Sequence, residues 1–395
     1  MNKPHYQNTM YACFVGYIVQ AIVNNFVPLL FVTFQTSYSI LLSQITILIT
    51  INFAIQLLID LLSAKFVDKI GYRISVIIAH ACSAAGLILL TILPEVFPSA
   101  FAGIVVSVAI YAVGGGLIEV LISPIVEACP TDNKEKAMSL LHSFYCWGHM
   151  GVVLLSTAFF ALFGIENWKI LALIWAAVPV INGLFFTKVP MFSLIEEGET
   201  GLSVKQLFKT KIFWLLMLMM ACAGASEQAV SQWASTFAEQ GLGVNKTVGD
   251  LAGPTAFAAL MGFSRLIYGK YGDKLNLDKC MTVLCIASYI VIAFVPSPAV
   301  GLIGCAVCGF SVGIMWPGTF SKAAVSIKGG GTALFALLAL AGDLGCSGGP
   351  TLAGLASSAA GENLHKGIFA AVIFPTVLLA GLFLSKNTAK NELKK

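Results

Sequence analysis

Hydrophobic residues occur along the chain in long runs, and short polar intervals separate them. Twelve of these runs reach about 17 residues or more, which is enough for an α-helix to cross the hydrocarbon core of a bilayer. They cover residues 10–33, 44–64, 74–93, 100–127, 137–163, 170–187, 212–237, 249–270, 280–296, 300–325, 331–357 and 367–385. The pattern predicts an all-α membrane protein with twelve transmembrane helices. Glycine-rich stretches at 114–116 and 345–349 predict close helix packing there.

The composition supports this prediction. The chain has 395 residues, of which 58% are hydrophobic and only 11% are charged. Soluble domains carry about 25% charged residues, so this chain cannot cover a large water-exposed surface. The alternative is a large soluble α/β protein with an unusually apolar core. Runs such as 74–93, which carry almost no charge, argue against it.

The longest polar interval, 188–211, divides the runs into six and six. We predict an N-terminal six-helix bundle over 1–190, a cytoplasmic central loop over 191–211 and a C-terminal six-helix bundle over 212–395. When loops are assigned to alternate sides, all but three of the 23 basic residues fall on the side of the termini and the central loop. The three exceptions are Lys169, Lys246 and Lys366. Basic loops stay in the cytoplasm, so both termini are predicted to be cytoplasmic.

Two polar loops repeat one pattern in the two halves. They follow the second and eighth runs and contain Asp68, Lys69, Gly71 and Arg73 in the first and Arg265, Gly269 and Asp273 in the second. A carboxylate at a helix end with cations nearby can latch two helices together. We therefore predict that both loops have a gating role. Repeated halves are a common plan of secondary transporters.

The repeated pattern resembles the loop signature of the major facilitator superfamily, Gly-x-x-x-Asp-(Arg/Lys)-x-Gly-x-(Arg/Lys). The first loop has Ala64 in place of the leading glycine, and the second loop lacks the trailing half. Together with the twelve runs, this pattern identifies the chain as a member of the superfamily. The resemblance implies a secondary active transporter that is a multi-pass protein of the bacterial inner membrane.

Shorter motifs resemble the fucose permease group of proton–sugar symporters. Residues 116–124, Gly-Leu-Ile-Glu-Val-Leu-Ile-Ser-Pro, are similar to that group's Gly-Cys-Leu-Glu-Thr-Ala-Ala-Asn-Pro, and the first run shares the paired Asn24-Asn25. The resemblance implies a proton-binding role for Glu119. Pro28 stands where the group has a functional carboxylate, and Ser123 stands where it has an asparagine, so fucose itself is not the expected substrate.

Four carboxylates lie inside the runs, namely Asp60, Glu119, Glu227 and Asp343. A charged side chain at mid-bilayer costs about 2.5–3.5 kcal/mol on insertion scales, so each is a candidate for function. None has a Lys or Arg in its own run at a depth that allows pairing, and such a group avoids the cost by taking up a proton. We predict proton coupling at Glu119 and Asp343. For Glu119, the alternative is a permanently protonated side chain that bonds a neighbouring helix.

A polar stripe on the seventh helix is formed by Glu227, Gln228 and Gln232, and we expect it to line a cavity because polar groups facing lipid are costly. The other predicted substrate-binding residues are Asn24, Asn25, His149 and Trp316. For His149, a hydrogen bond within the bundle is an equal alternative. No Lys or Arg lies at mid-depth in a run, so a neutral polar solute or a cation is expected rather than an anion.

These features predict proton-coupled symport of a sugar or similar small neutral polar solute by alternating access. A proton-coupled antiporter that exports drugs or metabolites would use the same carboxylates and is the alternative. No nucleophile or metal motif is present, so we expect no enzyme activity, cofactor or metal. We also expect a monomer that does not bind nucleic acid. The ten cysteines lie mostly in apolar runs and are expected to be small buried side chains.

Overall fold

The computed structural model of the protein describes residues 6–131, 134–192, 202, 204–271, 277–327 and 331–392. Every regular element in these ranges is a helix, and the ranges contain no β-strand. The chain divides into two compact units, Met1–Glu196 and Glu197–Lys395. The division falls inside the interval predicted as the central loop. Over the described residues, the N-terminal unit has eight α-helices and the C-terminal unit has eleven.

The N-terminal unit contains eight α-helices and two short 3₁₀ helices. In chain order they are α1 Tyr6–Asn25, the 3₁₀ helix Val27–Leu30, α2 Phe31–Tyr38, α3 Leu42–Ile70, α4 Tyr72–Leu90, α5 Leu93–Val96, α6 Ala100–Ala128, α7 Lys134–Phe163, the 3₁₀ helix Ile165–Asn167 and α8 Trp168–Phe186. Each of the first six predicted runs coincides with one of these helices or with a group of consecutive ones.

The first predicted run is interrupted. The α-helical part ends at Asn25 rather than continuing to residue 33, and a 3₁₀ turn with Pro28 near its start follows it. Proline has no backbone N–H and therefore cannot continue the α-helical hydrogen bonds. The helix resumes as α2 and ends at Ser39, which adopts a left-handed conformation with φ of 53°.

A buried histidine joins three helices of the N-terminal unit. His80 on α4 has its Nδ1 2.7 Å from the carbonyl oxygen of Val76 and its Nε2 2.8 Å from the amide nitrogen of Asn182 on α8. Because a carbonyl oxygen can only accept, Nδ1 donates and Nε2 accepts from Asn182. Asn182 also donates to the backbone oxygen of Ala12 on α1, at 3.0 Å. These bonds hold α1, α4 and α8 together and fix their relative orientation, which apolar contacts alone would not do.

The C-terminal unit contains eleven α-helices and two π-helical segments. In chain order they are α9 Val204–Lys209, α10 Lys211–Ser231, α11 Ala234–Thr236, the π segment Phe237–Gly241, α12 Lys246–Asp250, the π segment Leu251–Thr255, α13 Ala256–Tyr271, α14 Leu277–Phe294, α15 Pro298–Val312, α16 Met315–Ser326, α17 Gly331–Ala359, α18 Leu364–Ala370 and α19 Ile373–Glu392. The last six predicted runs coincide with helices of this unit.

Several boundaries in the C-terminal unit differ from those predicted. The seventh run extends beyond residue 237 through a π turn, in which the N–H of Leu242 donates to the carbonyl oxygen of Phe237 at 3.0 Å. Lys246, predicted to lie in a loop, begins helix α12. Part of the predicted central loop is helix α9, because Leu207 is buried in an apolar cluster of this unit. The tenth run is two helices, α15 and α16.

Helices α10 and α17 approach each other at glycine positions. A Cβ atom at Gly345 would lie 1.8 Å from the backbone oxygen of Ala221, and one at Gly349 would lie 2.3 Å from that of Ala225. On α10, a Cβ at Gly224 would lie 2.2 Å from the backbone oxygen of Gly342. The backbones are therefore packed at distances that only glycine permits, as the glycine-rich stretch at 345–349 predicted.

In the part of the chain that the structure describes, nine helical segments have the length and apolar composition needed to cross a membrane. Their mean hydropathies lie between 1.4 and 2.4. Helix α14 is a predicted span outside this set. The protein is thus an all-helical, multi-pass membrane protein.

Candidate functional site

A buried chain of polar side chains crosses the interior of the N-terminal unit. Its first link lies between α1 and α6, where the amide nitrogen of Gln20 donates to Oε2 of Glu119 at 3.0 Å. The same nitrogen donates to Oε1 of Gln56 on α3, at 2.9 Å. Both N–H groups of Gln20 are therefore used, one toward the carboxylate and one toward the neighbouring amide.

The chain continues from Gln56 to two asparagines. The amide nitrogen of Gln56 donates to Oδ1 of Asn24 at 2.8 Å, and the amide nitrogen of Asn52 donates to the same oxygen at 3.2 Å. Gln20 and Asn24 are four residues apart on α1, and Asn52 and Gln56 are four apart on α3, so each pair shares one helix face. We refer to Asn52, Asn24, Gln56 and Gln20 as the amide chain; it ends at Glu119.

Two glycines on α6 make room for the amide chain. A Cβ atom at Gly115 would lie 3.2 Å from both Oε1 of Gln20 and Cδ of Gln56. At Gly116, a Cβ would lie 2.9 Å from Cα of Gln56. Larger residues would push the amides away from α6, so these glycines allow Glu119 to lie next to Gln20.

A second group of polar side chains lies one turn away on the same helices. The hydroxyl groups of Tyr17 and Ser123 are 2.9 Å apart, and Tyr17 is three residues before Gln20 while Ser123 is four after Glu119. The Tyr17 ring is also 5.4 Å from the His142 ring of α7. The polar face between α1 and α6 therefore extends over more than one helical turn.

The two other N-terminal residues predicted to bind substrate occupy different surroundings. The amide nitrogen of Asn25 donates to the backbone oxygen of Ala21 in its own helix, at 2.9 Å, and the side chain is buried. His149 on α7 is buried as well. Of the predicted pair on α1, only Asn24 belongs to the amide chain.

The three side chains of the predicted polar stripe, which lie on α10 and at its C-terminal cap, are close together and buried. The amide nitrogen of Gln228 lies 3.3 Å from Oε1 of Glu227, and that of Gln232 donates to Oε1 of Gln228 at 3.0 Å. All three side chains are among the buried polar residues of the C-terminal unit. The stripe is therefore a second polar cluster that satisfies its hydrogen bonds in part internally.

A cation from another helix accompanies Glu227, whose own predicted run contains no Lys or Arg. A guanidinium nitrogen of Arg265 lies 3.4 Å from Oε2 of Glu227, and Nε of Arg265 donates to the backbone oxygen of Gly313 at 3.2 Å. Arg265 was assigned to the second gating loop, but α13 continues to Tyr271 and places it inside the helix. The pair joins α10 and α13, which are far apart in sequence.

Trp316 and Asp343 lie close together through Gly342. A Cβ atom at Gly342 would lie 2.2 Å from Cη2 of Trp316, so the indole ring rests on the backbone of α17 next to Asp343. The Trp316 ring also meets the ring of Phe320, with centroids 6.2 Å apart. The indole thus packs at the helix contact, and Asp343 is half-buried beside it.

The structure covers the predicted gating loops in part. The side chains of Asp68 and Lys69, and all of Asp273, lie outside the described residues. Gly71 separates α3 from α4 with φ of 84°, a conformation that favours glycine. Gly269 lies within α13.

Arg73, the remaining residue of the first loop, caps another helix. Its guanidinium group donates to the backbone oxygens of Phe186, Thr187 and Val189 at 2.8, 2.9 and 2.8 Å. The last carbonyl groups of a helix have no hydrogen-bond partners within the helix and carry partial negative charge. A guanidinium group donates hydrogen bonds to them and places a positive charge beside them. Arg73 therefore ties α4 to the end of α8.

An ion cluster in the C-terminal unit was not predicted. The ammonium group of Lys246 lies 3.0 Å from Oε1 of Glu239 and 3.1 Å from Oδ2 of Asp250, and the Ser235 hydroxyl lies 2.5 Å from Oδ1 of Asp250. Asp250 is completely buried. The four-residue spacing of Lys246 and Asp250 was a usable signal for a helical ion pair, but the prediction placed Lys246 in a loop.

A histidine whose two ring nitrogens face backbone oxygens was also missed. Nδ1 of His365 on α18 lies 2.9 Å from the carbonyl oxygen of Ile292, and Nε2 lies 3.1 Å from that of Gly241. Its ring also meets the edge of Phe237 at 4.9 Å between centroids. His365 therefore fastens the end of the first π segment to α14 and α18. No sequence motif marks such a contact.

Within the described ranges, no three His, Cys, Asp or Glu side chains are grouped so as to hold a metal ion. All ten cysteines lie in these ranges, none of them forms a disulfide, and most of them are buried.

The fold and its buried polar clusters together define a class of protein. Ionisable and amide side chains inside a bundle of membrane-crossing helices mark a path for a solute or an ion, so the architecture is that of a polytopic membrane transport protein. The family model of the Major Facilitator Superfamily matches residues 12–350. The chain belongs to this superfamily of transporters.

Solved structures with the same fold include several transporters. A bacterial homolog of the human lysosomal transporter Spinster, in an inward-facing and occupied conformation, is 17% identical, with a TM-score of 0.79 and 98% of each chain covered. The D-xylose–proton symporter is 13% identical, with a TM-score of 0.78 and coverage of 96% of this chain and 97% of the other. The Escherichia coli fucose:proton symporter is 15% identical, with a TM-score of 0.64 and coverage of 95% and 98%. Such identities show the fold alone. No curated protein sequence matches the chain.

Proposed function

We propose that the protein is a proton-coupled symporter that carries a sugar or similar small neutral polar solute across the bacterial inner membrane by alternating access. In this proposal both termini are cytoplasmic and Glu119 carries the proton. The observation that supports it best is the position of Glu119 at the end of the buried amide chain, where Gln20 donates to its carboxylate.

The surroundings of Glu119 suit a group that binds and releases a proton. Within the described residues, its carboxylate has no Lys, Arg or His nitrogen within 4.0 Å, and its hydrogen-bond donor is a neutral amide. A charge inside a membrane without a paired countercharge is costly, and taking up a proton removes that cost. In contrast, Glu227 has a cationic partner, Arg265 on another helix, which gives it a more permanent structural role.

The amide chain supports a neutral polar solute as the cargo. Amide oxygens and nitrogens bind hydroxyl groups without requiring a charge on the solute. Two of the similar solved structures are named as sugar–proton symporters. We assign Asn24 to substrate binding on this basis. Asp343, half-buried beside Trp316, is our second candidate for proton or hydroxyl binding.

Reconstitution in liposomes tests the proposal. Purified protein is placed in liposomes that contain a pH-sensitive dye, and a panel of sugars that includes D-xylose and L-fucose is added outside. We expect at least one sugar to acidify the interior, and we expect Glu119→Gln to abolish this acidification. Glu95→Gln is the matched control, because Glu95 is an exposed carboxylate whose partner is Lys169.

One result would contradict the role of Glu119, and another would contradict symport itself. If a sugar acidifies the interior equally well in the Glu119→Gln variant, the proton carrier is another group. If no sugar moves protons while an imposed pH gradient drives extrusion of cationic dyes, the protein is a proton-coupled antiporter. The same variants then show whether Glu119 serves that exchange.

A further inference from the structure

Two buried oxygen atoms mark the ends of the amide chain. Oε1 of Gln20 and Oδ1 of Asn52 are both shielded from solvent, and neither accepts a hydrogen bond from any of the described residues. Gln20 is 2% exposed and Asn52 is 6% exposed. A buried acceptor without a donor costs about 1–3 kcal/mol, so two of them at one site call for an explanation.

The amide chain itself determines the direction of these oxygens. Gln20 uses its nitrogen to donate to Gln56 and Glu119. Turning the Gln20 amide by half a rotation would place its oxygen against the acceptor oxygen of Gln56. Likewise, Asn52 donates to Oδ1 of Asn24, and a turned Asn52 would bring two oxygens together. In both end residues a donor is thus directed into the chain, and an acceptor is left at each end.

One of these acceptors lies against a glycine of α6. Gly115 on α6 has no side chain, and a Cβ atom there would lie 3.2 Å from Oε1 of Gln20. Asn52 belongs to α3, one turn before Gln56. The helices α1 and α3 therefore each present one buried acceptor.

We propose that Gln20 and Asn52 are specificity-determining residues of the transport site, whose free amide oxygens each accept a hydrogen bond from a hydroxyl group of the transported solute. This inference rests on the proposed function and specifies its substrate class, a neutral polyol recognised by its O–H donors. Asn24 and Gln56 act as positioning residues, because they hold the donors of the two end residues in place. Solutes that only accept hydrogen bonds, such as ethers, are rejected, and a sugar in which fluorine replaces a recognised hydroxyl binds more weakly.

Fluorinated sugars separate donation from acceptance. The liposome assay is run with D-xylose and L-fucose and with their monodeoxy and monofluoro analogues, since fluorine cannot donate. In the wild type we expect two hydroxyl positions, one for each acceptor oxygen, at which both analogues weaken the apparent affinity by about tenfold or more, which corresponds to about 1.4 kcal/mol. In Gln20→Met we expect the apparent affinity for the parent sugar to fall by the same factor. Replacing the hydroxyl that Gln20 recognises should then cause no further loss of affinity. Asn52→Leu is expected to do the same for a different hydroxyl.

Asn25→Leu is the matched control, because Asn25 is a buried amide of α1 that bonds only to its own helix in the described contacts. It should keep the wild-type preference for hydroxyl over fluorine. If Gln20→Met and Asn52→Leu both keep that preference, ordered water satisfies the two oxygens and the inference is wrong. If the wild type moves protons with none of these sugars, the proposed function fails and the inference fails with it. Thermal stability of each variant is measured beside transport, and the two substitutions on different helices provide independent tests.

Discussion

The contact between α10 and α17 can be tested with a pair of glycines that are three residues apart. In Gly345→Ala the new Cβ atom would lie 1.8 Å from the backbone oxygen of Ala221 and 2.9 Å from the backbone nitrogen of Ala225. Neither is the end of a flexible side chain, so the helices themselves must move apart. Gly348 on the same helix has nothing within 4 Å of its Cβ position and is the matched control.

The expected cost follows from two opposing effects. Forcing extra volume into a packed interior costs about 1–3 kcal/mol, and the upper end applies because the obstructing atoms belong to a backbone. Alanine is favoured over glycine in a helix by about 1 kcal/mol, which offsets part of this cost. We therefore expect Gly345→Ala to lower the free energy of unfolding by about 2 kcal/mol. Gly348→Ala should leave it unchanged or raise it by up to about 1 kcal/mol.

The cysteines provide an assay of thermal unfolding. Most are buried, so a thiol-reactive fluorescent dye reports unfolding of the detergent-solubilised protein during a temperature ramp. For a domain of this size, about 1 kcal/mol corresponds to a shift of about 2–4 °C in the midpoint temperature. We expect Gly345→Ala to unfold about 5 °C below the wild type. Equal midpoints for Gly345→Ala and Gly348→Ala would refute the close packing of α10 and α17.

Two further substitutions test contacts in the C-terminal unit. Arg265→Gln leaves the Glu227 carboxylate buried without its cation and should lower the free energy of unfolding by about 3 kcal/mol. The double variant with Glu227→Gln should recover part of this loss in the dye assay. A double variant that is less stable than Arg265→Gln would argue against the pairing. His365→Phe preserves an aromatic ring beside Phe237 but loses the ring N–H that donates to one of the two backbone oxygens facing it, which should cost about 1–3 kcal/mol. Hydrogen exchange of the amides in Phe237–Gly241 should accelerate in that variant, and unchanged exchange would contradict the role of His365.

The helical architecture was predictable because hydrophobicity alone determines where a chain can cross a bilayer. All twelve predicted runs coincide with helical segments. The interruptions inside the runs were harder to predict, because they depend on neighbours in space. Pro28 gave a local signal for the break after α1, whereas the break between α15 and α16 at Gly313 is accompanied by a bond from Arg265, 48 residues earlier in the sequence.

The candidate site was predictable in its residue types but not in its connections. An acidic residue at position 119 was singled out from the cost of burying a charge and from the family resemblance. Its partner Gln20 lies 99 residues earlier, and no local pattern connects the two. The pairing of Glu227 with Arg265 was missed for the same reason, since a search within one run cannot find a cation on another helix. The unsatisfied oxygens of Gln20 and Asn52 could not be predicted from the sequence, because they depend on which donors and acceptors meet in the folded protein.

The π segment Leu251–Thr255 has a consequence for the way α13 is rotated. A π turn contains about one residue more than an α turn, and one residue corresponds to about 100° of rotation around a helix axis. Arg265 follows this segment along α13 without a further interruption. Removing one residue from the segment, with α12 held by its ion cluster, would therefore turn Arg265 away from Glu227. The meeting of these two charges depends on the length of the chain between them as much as on their chemistry.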